Sequence, residues 1–168
     1  MLTEAIGLTL FPAMMAFAAS SDLLTMTIAN RVSLVLIGGF AVLAVLSGLS
    51  GPELLSHVGA AAAVLAVAFV CFACGWIGGG DAKLAAATAL WLGLSHLFDY
   101  LVYASILGGA LTLLIIQFRT LPLPRVLVGK EWAERLHRQG GGVPYGIALA
   151  AAALLVYPQT EWMTALGL

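Results

Sequence analysis

The chain has 168 residues, of which 62% are hydrophobic and only 9% charged, and its mean hydropathy is +1.06. Such a balance excludes an ordinary soluble domain and offers no basic surface for nucleic acid, so the chain reads as an integral membrane protein. The formal net charge of −1 says little about partners; what orients a membrane protein is where its Lys and Arg lie.

Hydropathy divides the chain into six candidate spans, at roughly 2–20, 32–49, 54–77, 84–97, 98–118 and 143–163. The N-terminus carries Glu4 instead of a basic region, so span one is expected to be retained and not cleaved as a signal peptide. It ends at Asp22 in SSDLLTMTIAN. Asp22 is readable as a mere span end or helix cap, with Asn30 capping span two and Arg31 beside it setting topology. Span three holds Cys71 and Cys74, too deep and too few for a four-ligand zinc site, so apolar packing is expected and no metal is inferred. His57, His96 and His137 fall on separate segments and are expected in solvated or interfacial roles. Gly78, Gly79 and Gly80 then end a hydrophobic helix. A new helix is expected from Ala82, placing Asp81 at or near its N-cap. Span four, LAAATALWLGLSHL, is short for a crossing, which needs ~20 residues. In the loop at about 119–142, KEWAERLHR pairs Glu131 with Arg135 and Glu134 with Arg138 at i,i+4, and Trp132 shares a face with Leu136. That pattern suits a short interfacial helix serving as a surface anchor.

If all six spans cross, Arg31, Lys83, Arg119, Arg125, Lys130, Arg135 and Arg138 fall on one side, and Glu4, Glu53, Asp99 and Glu161 on the other. The positive-inside rule makes the basic side cytoplasmic and both termini external. Parity then places Asp22 and Asp81 on the same face. A carboxylate near a bilayer is costly unless paired, protonated or facing water, and is a functional-site hypothesis by default. Two together offer acid/base chemistry, one carboxylate acting as base and the other as acid. Each aspartate alone is equally readable as a helix cap or span end. Lys83 would either tune Asp81 or extend to lipid headgroups.

Taken together these segments resemble the type IV prepilin peptidases, the bacterial branch of the GxGD membrane aspartyl proteases. The GxGDxKL signature is matched by Gly78-Gly79-Gly80-Asp81-Ala82-Lys83-Leu84. The second signature, Asp followed six residues later by Ile-Pro-Asn, is matched by Asp22 and Ile28-Ala29-Asn30, with Ala29 where the family usually has proline. Val143-Pro144-Tyr145-Gly146-Ile147-Ala148 is similar to the family's PYG segment. The resemblance implies an all-α integral membrane protein with six transmembrane helices in the GxGD aspartyl protease fold, forming one membrane-embedded domain over residues 1–168.

The resemblance further implies Asp22 and Asp81 as the catalytic pair, supported by Gly78, Gly80, Lys83, Asn30, Pro144, Tyr145 and Gly146, with no cofactor. It implies an aspartic-type endopeptidase of the bacterial inner membrane, working at the cytoplasmic face with the bilayer and the pilus assembly machinery as surroundings. Its substrates would be prepilins and pseudopilins, cut between a short leader and a hydrophobic helix. The larger enzymes of the family carry a cysteine-rich cytoplasmic region and also N-methylate; this chain is similar to the short Flp/Tad-type form, which implies cleavage without methylation. A different class remains open at this point: a small ion- or proton-coupled transporter using Asp22 and Asp81 as ion sites, although the halves show no internal repeat. A catalytically idle scaffold of a secretion complex is a third reading.

Overall fold

A computed structural model describes residues 6–164; Glu4 lies outside them. A π-helical turn, Ile6–Leu10, leads into α1 (Phe11–Thr25), followed by α2 (Asn30–Ser47) and α3 (Gly51–Ala73). The next helical run, Gly79–Thr120, is interrupted at Gly93, whose φ of 67° and ψ of 179° are not helical. It therefore comprises two helices, α4 (79–92) and α5 (94–120). A 3-10 turn, Arg125–Leu127, and α6 (Glu131–His137) occupy the following loop. The chain ends with α7 (Tyr145–Val156), the 3-10 turn Tyr157–Gln159 and the short α8 (Glu161–Thr164). Among the described residues no strand occurs. Four runs are long and apolar enough to cross a membrane, Gly7–Thr25, Asn30–Ser47, Gly51–Ala73 and Gly79–Thr120, and Tyr145–Gln159 is a shorter apolar one.

The chain doubles back at Gly93. Leu97 of α5 packs on the same cluster as Ala86 and Ala89 of α4, and the Tyr100 side chain comes alongside Thr88. A straight helix would hold residues 88 and 100 about 18 Å apart at ~1.5 Å per residue. The predicted fourth and fifth spans are thus separate, antiparallel helices, but their boundary is Gly93, not residue 98, and α4 begins at Gly79. At about 21 Å, α4 is shorter than the ~30 Å hydrocarbon layer. It lies inside the bundle, with Ala82, Leu84 and the run 86–93 all buried.

A helix broken at membrane depth exposes backbone polar groups that lipid does not satisfy. Here side chains take them. His57 Nδ1 lies 2.8 Å from the Leu90 carbonyl, Leu94 N–H donates to Ser56 Oγ at 3.2 Å, and Trp162 Nε1 donates to the Trp91 carbonyl at 2.7 Å. His57 is therefore buried between the Phe40 and Trp162 rings, not solvated or interfacial as its sequence position implied. Around it the core is aromatic. Phe11 stacks on Tyr157 at 4.3 Å and meets Trp91 at 5.1 Å, while Trp91 Nε1 donates to the Leu36 carbonyl.

Cys71 is half-buried and Cys74 exposed beyond the end of α3. Deep packing for both was expected from a span running to 77; α3 stops earlier, so Cys74 falls in the connection. The predicted interfacial helix is present as α6, with Ala133 and Leu136 buried. Its expected ion pairs give way to other partners. Glu134 accepts from the Gly129 amide, Arg135 donates to the Leu24 carbonyl at 2.8 Å, and Arg138 lies past the helix as its C-cap.

Candidate active site

Asp22 sits three residues before the end of α1 and Asp81 in the first turn of α4. Both carboxylates are within about one turn, ~5 Å along the axis, of a helix end. They line one cavity of about 260 Å³ together with Met26, Thr27, Ile28 and the three glycines 78–80. That volume is several times the ~30 Å³ of a liquid water, so it admits water and a stretch of extended chain. Two residues far apart in sequence thus face one space.

The local backbone explains the placement. α1 terminates at Met26 with φ 56°, and the Met26 amide donates back to the Asp22 carbonyl. A left-handed conformation at a residue with a side chain costs about 1–2 kcal/mol, and here it folds the 26–29 turn over the cavity. Nothing in the sequence marks Met26 for this role. Ala29, standing where the family has proline, holds φ −66°, an angle proline itself would impose. A proline ring at this position would therefore fit the backbone as it stands. Helix α2 begins at Asn30 with Ala29 as its cap residue, so Asn30 is not the side-chain cap that was expected. Its Oδ1 instead accepts from Lys83 Nζ at 2.9 Å, tying the two motifs together.

The glycine run is not a loose loop. Gly79 and Gly80 already belong to α4, Gly78 is its cap residue, and Asp81 is in the helix rather than at the N-cap position. The Asp81 carboxylate folds back to accept from the Gly78 amide, as an acid in the first turn does in a capping box. A Cβ at Gly78 would stand 2.9 Å from Asp81 Oδ2. One at Gly80 would meet the Ile28 Cβ at 3.1 Å and the Ile28 carbonyl oxygen at 3.3 Å, so this glycine lets the 26–29 turn rest on α4. The other oxygen, Asp81 Oδ1, is buried without a hydrogen-bond partner in the structure.

Gly146 completes the arrangement from the far end of the chain. Its amide donates to Asp22 Oδ2 at 2.7 Å. A Cβ there would lie 2.8 Å from that same oxygen and 2.7 Å from Ile28 Cδ1. Tyr145 packs closely on Gly108 of α5, and Pro144 is fully buried. The Pro-Tyr-Gly segment thus anchors α7 and presents one amide to one carboxylate. Lys83, Arg31, Arg119 and the basic loop share this end: Arg119 donates to the carbonyls of Leu136 and Gly142. Glu53 and His96 line a separate pocket with Gly93, at the other end of α4. Among the described residues no group of three His, Cys, Asp or Glu stands together as metal ligands.

The sequence profile of the type IV leader peptidase family matches residues 9–113, more than half of the chain. The chain belongs to the type IV leader peptidase family. The match contains Asp22, Asn30, the glycine run, Asp81 and Lys83, whereas Pro144, Tyr145 and Gly146 lie beyond it and enter the site through geometry. No curated protein and no solved structure matches the chain. This member of the leader peptidase family is an all-α, multi-pass membrane protein, and prepilin-type proteins are the substrates its family implies.

Proposed function

We propose that this leader peptidase family member is an aspartic endopeptidase that removes the leader of Flp-type prepilins or pseudopilins at the cytoplasmic face of the bacterial inner membrane, with Asp22 and Asp81 as its catalytic pair. The observation that carries the reading is that both carboxylates line a single cavity at the basic end of the bundle. All seven Lys and Arg lie on segments of that end, which the positive-inside rule assigns to the cytoplasm.

In this mechanism the carboxylates share one proton. The charged member takes a proton from a water as its oxygen bonds to the scissile carbonyl carbon. The protonated member delivers its proton to the carbonyl oxygen. Collapse of the tetrahedral species breaks the C–N bond as the leaving amine takes the proton first removed from water, and one hydroxyl of the diol returns its proton to the other carboxylate as the C=O bond re-forms, which restores the shared proton. The Gly146 amide fixes Asp22 and the Gly78 amide fixes Asp81, so reacting groups are oriented before substrate arrives. The cavity that the 78–80 backbone lines beside the two carboxylates is where an extended leader junction would lie. Because the pair acts as a unit, it is assigned jointly.

Co-expression with a Flp-type prepilin, scored by the gel shift of leader removal, tests the reading. The wild-type protein should cleave, and Asp22→Asn or Asp81→Asn should not. Uncleaved prepilin with wild-type protein would sink it, and ion flux abolished by the same variants would favour the transport class instead.

A further inference from the structure

Although α2 and α3 are joined by the short turn at 48–50, they scarcely touch each other; both pack on α4. Between them runs a groove floored by α4. Two cavities occupy it, of about 520 and 560 Å³, and both are lined by Ile37, Val58 and Leu90. Together they extend along α2 from Asn30 to Gly48, about 27 Å at ~1.5 Å per residue. That is close to the ~30 Å hydrocarbon thickness. The walls are apolar and open to the bilayer: Leu34 is 66% exposed and Leu65 47%.

One end of the groove adjoins the aspartates. Asn30 and Lys83, bonded to each other, line the groove, while Ile28 and Gly80, two and three positions earlier on the same segments, line the cavity of Asp22 and Asp81. A chain leaving the groove at that end needs only a few extended residues, at ~3.3 Å each, to reach the carboxylates. We infer that the α2–α3 groove seats the apolar helix that follows the scissile bond in the substrate, with the N-terminal end of that helix at the Asn30–Lys83 bond. This deepens the peptidase reading and rests on it. A membrane-depth apolar trough ending beside the catalytic cavity fits a substrate whose cleaved junction is continuous with a transmembrane helix; a soluble substrate would have no use for it.

Photocrosslinking residues at positions 34, 58 and 65, in an Asp22→Asn background that holds substrate uncleaved, should capture the hydrophobic segment of a Flp-type prepilin. The same residue at 113 or 114, exposed positions of α5 outside the groove, should not. In otherwise wild-type protein, Leu34→Trp and Val58→Trp should lower kcat/KM at least tenfold more for full-length prepilin than for a soluble peptide covering only the leader junction, while Leu113→Trp alters neither. Crosslinks to phospholipid alone, equal capture at 113, or equal losses on both substrates would overturn the inference. Wild-type cleavage that Asp22→Asn abolishes would keep the peptidase reading standing in that case, whereas a wild-type protein that cleaves no prepilin removes both.

Discussion

Two glycine-dependent helix breaks lie at opposite ends of α4, and they differ in what becomes of the polar groups. At Gly93, the groups around the break are taken by neighbouring side chains: His57, Ser56 and Trp162 serve Leu90, Leu94 and Trp91. At Gly78 each aspartate is held by one backbone amide, and Asp81 keeps a buried oxygen without a partner. Satisfied polar groups at membrane depth mean structure. A buried carboxylate oxygen without a partner, on a residue that lines a cavity, is expensive to keep, and it is this difference that supports the proposed catalytic role of Asp81.

The comparison breaks most easily at the carboxylates. Asp22→Asn and Asp81→Asn should each reduce leader cleavage by about 10³-fold or more, with little further loss in the double variant, since residues acting as a unit are not additive. Membrane insertion should be unchanged, and gel-shift kinetics of prepilin processing measure both statements. Near wild-type cleavage by either variant would remove that residue from the pair.

Next in size are the glycines that let backbone approach the aspartates. Gly146→Val displaces Asp22 or Ile28, and Gly80→Val pushes the 26–29 turn off α4; a misplacement of ~1 Å costs about 10²-fold in rate. Gly79→Ala should be milder, because its Cβ meets only the Phe72 ring at 3.2 Å. Equal activity in all three variants would reduce the glycine run to a connector.

At the other break the effect should fall on stability instead. Gly93→Ala places a side chain at φ 67°, 3.1 Å from the His57 ring, and should cost about 1–3 kcal/mol. Thermal unfolding in detergent should reveal the loss, while kcat per folded molecule stays within twofold. A rate loss as large as that of Gly80→Val, without loss of stability, would erase the distinction between the two ends. The smallest effect is expected at Ala29: restoring proline where φ is already −66° should stabilise the fold by about 0.4–1 kcal/mol and leave the cleavage rate within twofold.

Composition and hydropathy by themselves determined the membrane class, the all-helical architecture and the approximate spans, because lipid permits few backbone solutions and each leaves a long apolar run. The motif spacing singled out Asp22 and Asp81, and the parity of the spans put them on one face. Only the tertiary structure decided that Asp81 lies within α4, that Asn30 holds Lys83 instead of capping a helix, that His57 is a buried brace, and that Met26 turns left-handed beside the cavity. Each of these depends on which atoms meet across the bundle. The Gly146 amide on Asp22 is the clearest case: the two residues belong to opposite ends of the chain, and a hydrogen bond between distant segments leaves no local pattern of hydropathy or propensity for a sequence to display.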